Sequence, residues 1–323
     1  MMLVVTGAAG FIGSCQLSYL AERFPQAELI AVDELATGAK APNLEDKRVA
    51  HFVHRLVFHE WLETHAGEVN VVFHLGARTD TTEKDRHIFD ELNLGYSQKL
   101  WDICTRHQIP FLYASSAATY GGGEHGYSDA HHWVQKLRPL NPYGESKNDF
   151  DQWVLAQKET PPQWAGFKFF NVFGPNEFHK GRMASVIFHT FNQIRKQGKM
   201  RLFKSHRPDI QHGHQARDFV YILDVLKMIN WIHQEKPANG LYNIGSGSPN
   251  TFLDLVHFTF EALEIEPQIE FIDTPEDIRN SYQYYTCADM SKLKGEGFTE
   301  APYSFKEAIY EYVKQYLVPH QYY

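Results

Sequence analysis

Tyr143 and Lys147, in Tyr143-Gly-Glu-Ser-Lys147, stand four residues apart, a spacing that puts both side chains on one face of a helix about one turn apart. An ammonium beside a phenol stabilises the phenolate and moves the tyrosine pKa down from about 10 towards the working range. Such a tyrosine can take the proton of a hydroxyl while hydride leaves the same carbon for a nicotinamide, and the lysine can hold the nicotinamide ribose. Ser116, in Tyr113-Ala-Ser-Ser-Ala-Ala-Thr-Tyr-Gly121, follows an apolar segment, 111–114, that reads as a strand. Its hydroxyl can bond the reacting oxygen. A Tyr/Lys pair at this spacing is common on helix surfaces, so its meaning depends on what surrounds it.

What surrounds it is a nucleotide-binding pattern. Leu3-Val-Val-Thr-Gly7-Ala-Ala-Gly10-Phe-Ile-Gly13 runs a β-branched strand into Gly-x-x-Gly-x-x-Gly and then into an apolar-periodic stretch. Gly7 permits the tight turn, Gly10 lets the backbone approach a pyrophosphate, and Gly13 lets the new helix pack closely on the sheet. The helix N-terminus offers free N–H groups and a positive dipole end to the phosphates. Asp33 closes the second strand, twenty residues after Gly13, where a carboxylate accepts from the adenosine ribose hydroxyls. Asp33 followed by Glu34 disfavours a 2′-phosphate and argues for NAD. Lys40 and Arg55 are cations that reverse this preference if they face the same pocket.

The elements that position these groups alternate. Strands are expected at 3–6, 29–32, 69–75, 111–114 and 166–170, with helices at 14–24, at 83–106 and from residue 142. Short apolar strands between longer amphipathic segments imply an α/β fold, a doubly wound parallel Rossmann sheet with right-handed crossovers. After Asn171 the rhythm changes to loops rich in Gly, His and Pro. The expected division is therefore a dinucleotide-binding part over 1–170 and a smaller C-terminal α/β substrate lobe over 171–323, interleaved, with some segments returning to the sheet. Residues 317–323 read as a loosely held tail.

The chain has 323 residues, 43% of them hydrophobic, and a formal net charge of −8. This allows a large core and argues against nucleic acid or an anionic membrane surface as a partner. There is no run of about 18 apolar residues that would span a membrane. Met1 leads directly into the first strand without an export signal, so the expected address is the cytoplasm. Cys15, Cys104 and Cys287 are odd in number and scattered, which reads as free thiols. His212 and His214, and His131 and His132 with Asp129, do not form a zinc-type ligand set, and no metal is expected.

Three segments carry a resemblance: Phe111-Leu-Tyr-Ala-Ser-Ser-Ala-Ala-Thr-Tyr-Gly-Gly122, Asn171-Val-Phe-Gly-Pro-Asn-Glu-Phe-His-Lys-Gly-Arg-Met-Ala-Ser185, and Arg217-Asp-Phe-Val-Tyr221. The chain resembles the extended short-chain dehydrogenase/reductases, the nucleotide-sugar epimerases and dehydratases. It is most similar to the branch that inverts C6 of ADP-heptose, from about Val4 to about Tyr316. The His-Lys-Gly-x-Met-Ala-Ser segment is the most specific mark. The resemblance implies removal of hydride from an exocyclic carbon, rotation of the ketone about C5–C6, and return of the hydride to the opposite face. Two faces call for two acid/base groups, and the family's pair maps onto Tyr143 and Lys180, with Lys147 and Ser116 in support. Without the resemblance Lys180 reads as a loop lysine.

The resemblance further implies cofactor contacts from Phe11, Ile12, Leu75, Gly76, Ala77, Asn93 and Val172, and substrate contacts from Asn171, Arg182, His189, Phe203, Arg217 and Tyr282. Asn93 reads equally as a helix-packing residue. Arg217 suits a pyrophosphate because its planar fork matches phosphate oxygens, although an ion pair with Asp218 is the alternative. Lys40 and Arg55 lie where the family supplies basic groups, which implies a tightly bound NADP, one per subunit, over NAD. A homo-oligomer, a pentamer, and a product for lipopolysaccharide core heptose are also implied.

Three positions depart from the family pattern: Glu34 replaces a neutral amide, Arg182 replaces a small hydroxyl residue, and 205–216 is longer. His179 flanks Lys180 and could tune its basicity. Three other functions compete. A sugar 4-epimerase shares Ser, Tyr and Lys but needs one base. A 4,6-dehydratase needs a carboxylic acid pair where Ala117 and Ala118 stand. A cofactor-sensing module has no use for an intact Ser116, Tyr143 and Lys147.

Overall fold

Runs such as Met2-Leu-Val-Val-Thr6 bury every side chain, which only a sheet covered on both faces allows. The computed structural model describes residues 1–34, 38–279 and 282–323. Its centre is a seven-stranded sheet of β1 (Met2–Thr6), β2 (Glu28–Asp33), β3 (His51–His54), β4 (Val69–His74), β5 (Phe111–Ser116), β6 (Trp164–Phe169) and a strand from much later in the chain, Gly240–Ile244. All neighbours are parallel, and the order from that late strand is β6, β5, β4, β1, β2, β3. The order reverses between β1 and β4, so the two crossovers leaving this point open a crevice at the C-terminal ends of the strands. Alternate residues serve two cores: Leu3, Val5, Leu29 and Phe73 face one, and Val4, Ile30, Val32 and Val72 the other.

The later part of the chain adds β7 (Asn171–Phe173), β8 (Met200–Phe203), β9 (Ala216–Arg217) and β10 (Phe219–Tyr221). The late sheet strand Gly240–Ile244 is β11, followed by β12 (Asn250–Thr251) and β13 (Ile269–Ile272). These form three two-stranded ribbons, β7 with β10, β8 with β13, and β9 with β12, while β11 goes back to pair with β6. The helix Ile222–Glu235 returns as well. Its Asn230 exchanges amide hydrogen bonds of 3.0 and 3.1 Å with Gln16 of the helix Phe11–Arg23.

Four expectations need correction. The strands β3 and β11 are absent from the sequence reading: β3 is a four-residue edge with His51 and Phe52 exposed, too short and polar to register as an apolar run. The expected helix over 83–106 starts at Arg86, capped by the Asp85 side chain, and contains a wide π turn over Asp90–Gly95 before continuing as Tyr96–Arg106. Ser116 is the last residue of its strand and does not follow it. Residues 317–323 are not loose. Tyr323 N–H donates to Asn176 Oδ1 (2.8 Å), and Asn176 Nδ2 and Ser18 Oγ donate to its carbonyl oxygen (3.2 and 3.0 Å). Phe178 packs against His320 and Tyr322, with ring centroids 4.4 and 5.0 Å away. Aromatic side chains dock this segment, a force that its polar neighbours obscured.

Candidate active site

The strand ends and the segment after β6 enclose a cleft of about 770 Å³. At its floor the Gly-rich turn closes through Gly10 N–H to Gly7 O at 2.9 Å. Gly7 has φ +66°, and a Cβ on Gly13 would lie 2.1 Å from Gly7 O, so the helix can start this close to the strand only without side chains. The helix Phe11–Arg23 has no side-chain cap and no acidic residue in its first turn, which leaves its N–H groups for an anion. Asp33 Oδ2 accepts from Ala9 N–H at 2.9 Å and Oδ1 from Glu34 N–H at 2.8 Å. Lys40 lies 3.6 Å from Asp33, and Arg55 pairs with Glu34 at 2.6 Å. The Arg55 guanidinium holds the Glu34 carboxyl below its usual range. Each acid at the ribose end thus has its own cation. Leu75, Gly76 and Ala77 complete this wall. Close backbone approach, free helix N–H groups and a carboxylate at the end of β2 together fit a dinucleotide.

The other end of the cleft is built on the helix Pro142–Leu155. Asn141 caps it by accepting from Gly144 N–H at 2.8 Å, and Pro142 occupies the first turn, a start that proline's fixed φ favours. Tyr143 and Lys147 both line the cleft with Ser116. Burial pushes the Tyr143 phenol up, and the Ser116 hydroxyl opposes this by favouring the phenolate. The expected lowering by Lys147 is not seen. The Lys147 ammonium donates to the Ala114 carbonyl at 2.9 Å, and burial brings it down to about 8 while the Asp151 carboxylate opposes this.

Lys180 enters the same cleft from the short turn Phe178–Met183, whose Gly181 has φ 53°. Its ammonium sits 5.0 Å from the Phe11 ring centroid. Burial lowers its basicity, and Glu177 opposes that effect. His179 does not play the tuning part expected of it. It contacts Asn43 Nδ2 through Nδ1 at 3.1 Å, and burial, with Lys40 and Lys180 nearby, brings it to about 4.

Phe11, Ile12, Asn171 and Val172 line the cleft. Asn93 does not: it is buried in the π turn, where its side chain holds both the N–H and the C=O of Arg78 (2.8 and 3.0 Å) and Ser146 Oγ (3.1 Å). That is the packing role. Arg182, His189, Phe203, Arg217 and Tyr282 also lie outside the cleft lining. Arg182 is two-thirds exposed and reaches Asp80 at 3.1 Å, and His189 Nε2 is 3.4 Å from the Arg182 carbonyl. Phe203, Arg217 and Tyr282 form one group: the buried Arg217 guanidinium lies 5.6 Å from the Phe252 ring and 5.5 Å from that of Tyr282, which is 6.5 Å from Phe203. The alternative ion pair with Asp218 does not form. Asp218 instead accepts from the N–H groups of Ser246, Gly247 and Ala288 at 2.7, 3.0 and 2.8 Å.

Histidines elsewhere have local work. His131 Nε2 accepts from Leu241 N–H at 3.1 Å and Asp129 Oδ2 from Asn243 N–H at 2.8 Å, so this loop fastens β11. In the 205–216 segment, His212 Nδ1 accepts from Ser205 N–H at 3.0 Å. Among the described residues no three His, Cys, Asp or Glu side chains gather as metal ligands, and Cys15, Cys104 and Cys287 are free thiols. No helix of the described residues is long and apolar enough to cross a membrane. Two groups escaped the sequence reading: Asp151, one turn beyond Lys147, and Glu177, three residues before Lys180. A charged residue on the Tyr143/Lys147 face and a lysine, Lys168, in the middle of an apolar strand were the available signals for the first.

The model of the NAD dependent epimerase/dehydratase family matches residues 3–245. The chain belongs to this family. Among relatives of this epimerase/dehydratase, the ADP-L-glycero-D-manno-heptose-6-epimerase of Fusobacterium nucleatum is 41% identical over 98% of both chains. The protein of the same name from Nitratidesulfovibrio vulgaris is 42% identical, again over 98% of both. The crystal structure of the ADP-L-glycero-D-manno-heptose-6-epimerase of Helicobacter pylori shares the fold, with a TM-score of 0.81 at 24% identity, covering 97% of this chain and 95% of that one. A nicotinamide cofactor goes with the family, and the cleft described above is shaped for it.

Proposed function

We propose that the protein converts ADP-D-glycero-D-manno-heptose to its L-glycero epimer by inverting C6, with Tyr143 and Lys180 as the two acid/base groups. The observation that carries this reading is that Tyr143 and Lys180, on separate segments, line one cleft together with Ser116 and Lys147. The kinship with heptose epimerases over 98% of the chain supports the choice of sugar. In this reading the Ser116 hydroxyl holds the C6 oxygen and Tyr143 takes its proton. When bound, the nicotinamide takes up the C6 hydride and gives it back, so there is no net redox change. Rotation about C5–C6 presents the other face of the ketone, and Lys180 returns the proton to oxygen there. Lys147 orders the ribose side. Arg217, with Phe203 and Tyr282, receives the ADP end, and Asn171, Arg182 and His189 contact the sugar.

The proposed cofactor is NADP, tightly held, because Lys40 and Arg55 both stand at the ribose end and each neutralises an acid that would repel a 2′-phosphate. The proposed setting is a cytoplasmic homo-oligomer, a pentamer, that makes heptose for lipopolysaccharide core, which the resemblance supports. The substrate lobe is proposed to be 171–323 without the returning helix and β11. The test is to incubate the purified protein, with its resident cofactor, with ADP-D-glycero-D-manno-heptose and to separate the C6 epimers. A mixture containing the L-glycero form, without added oxidant or reductant, is expected. No conversion, with cofactor confirmed by mass, would overturn the reading in favour of a 4-epimerase acting on another nucleotide sugar.

A further inference from the structure

Glu177 is fully buried, and its carboxyl oxygens are taken up by neutral donors. Ser185 N–H donates to Oε2 at 2.5 Å, and Ser185 Oγ and Tyr312 Oη donate to Oε1 at 2.6 and 2.8 Å. Burying a carboxyl group is costly even when it is hydrogen-bonded, so the position needs a reason. Glu177 stands just before the turn Phe178–Met183 that carries Lys180, and Ser185 just after it. The pair therefore closes that loop at its neck. Tyr312 anchors the neck to the C-terminal helical segment, and Ser185 also caps the helix Val186–Gln197. The other wall is fixed independently: Asn43 Nδ2 donates to the carbonyls of Asn176 and Ala9, both at 3.0 Å, joining the loop to the Gly-rich turn.

We propose that Glu177 is the positioning residue for Lys180: it clamps the neck of the loop so that the ammonium stands in the cleft. Tyr143, Lys147, Asp33, Lys40, Asp80 and His179 share the cleft with Lys180. Glu177 is the group whose charge opposes the effect of burial on it. The proposal rests on the acid/base role given to Lys180 above.

Glu177→Gln preserves shape and most hydrogen bonding while removing the charge. Two measurements on the holoenzyme test it. The first is site-resolved acylation of Lys180 against pH, read by mass spectrometry, which follows its titration without reference to turnover. The second is kcat and KM with ADP-D-glycero-D-manno-heptose. The expected result is a midpoint for Lys180 lower by about one pH unit, the scale of losing a nearby charge, with Lys147 unmoved, kcat down at least about tenfold and KM little changed. An unmoved midpoint with unchanged kcat in a folded Glu177→Gln protein would overturn the proposal. Should that variant not fold, Tyr312→Phe removes one hydrogen bond and keeps the charge. It should lower kcat with the midpoint in place, and unchanged kcat would overturn the clamp. A shifted midpoint together with full turnover by Lys180→Met would sustain the Glu177–Lys180 coupling and remove Lys180 from the chemistry.

Discussion

Lys168 Nζ lies 2.8 Å from Asp151 Oδ2, with neither side chain exposed. Asp151 also accepts from Tyr113 Oη (3.0 Å) and Ser115 Oγ (2.7 Å), and Lys168 donates to Thr119 Oγ1 (2.8 Å). The helix bearing Tyr143 and Lys147 is thereby tied to β5 and β6. Breaking a buried pair strands the remaining charge at a cost of about 3–5 kcal/mol, whereas replacing both partners with apolar groups can be nearly neutral. Lys168→Met and Asp151→Leu should each destabilise on that scale, and the double variant should regain at least half. Urea unfolding of the three proteins decides it. Simple additivity of the two losses would refute this account of the pair.

Loss of an acid/base group removes about a hundredfold or more of turnover. Tyr143→Phe and Lys180→Met should each do so while the cofactor stays bound, as absorbance and mass will report. Variants that lose cofactor and recover full activity when it is added back would sink the assignment.

Glu34 and Arg55 pair at 2.6 Å beside Asp33 and Lys40. Removing the acid frees Arg55 for a 2′-phosphate, so Glu34→Gln should improve the NADP to NAD affinity ratio by about tenfold, the equivalent of roughly 1.4 kcal/mol. Arg55→Ala should push it the other way. Titration of cofactor-free protein with each dinucleotide measures the ratio, and an unchanged ratio in both variants would exclude a role for the pair.

Burial brings His131 and His233 down to about 4 from an ordinary value near 6.5. Between those values the unfolded chain binds more protons than the folded one, so the folded state loses ground as pH falls. The contribution of these two histidines to stability should be level above about 6.5 and decline steadily towards 4. His131 accepts from Leu241 N–H and must stay neutral at Nε2 to do so, so His131→Asn should flatten part of that slope. Urea midpoints across this range would show it, and a slope equal to that of the unaltered protein would refute the attribution.

The Gly-rich turn and the Tyr143–Lys147 spacing were legible because local backbone rules act there: a Cβ at Gly13 has no room, and four residues of helix make one turn. Spacing could not say where the Lys147 ammonium would donate. That depends on the Ala114 carbonyl at the end of β5, which is brought in by the fold. Lys180 stood out only through resemblance, since nothing in a short turn marks one lysine from another. Arg217 and Tyr282, sixty-five positions apart, come together through the folding of the later ribbons. The edge strand β3 stayed hidden because its order comes from β2 and not from its own residues.

The seventh strand has a consequence for how the protein is made. β6 cannot be covered on its outer side until residues 240–244 have been synthesised, some seventy residues after β6 itself is complete. Until then Trp164–Phe169, apolar and aromatic, stands as an open edge of the kind that recruits foreign strands. A fragment ending at residue 170, although it holds the whole Gly-rich turn and both Tyr143 and Lys147, should aggregate on expression, whereas the full chain, in which β11 covers β6, should stay in solution.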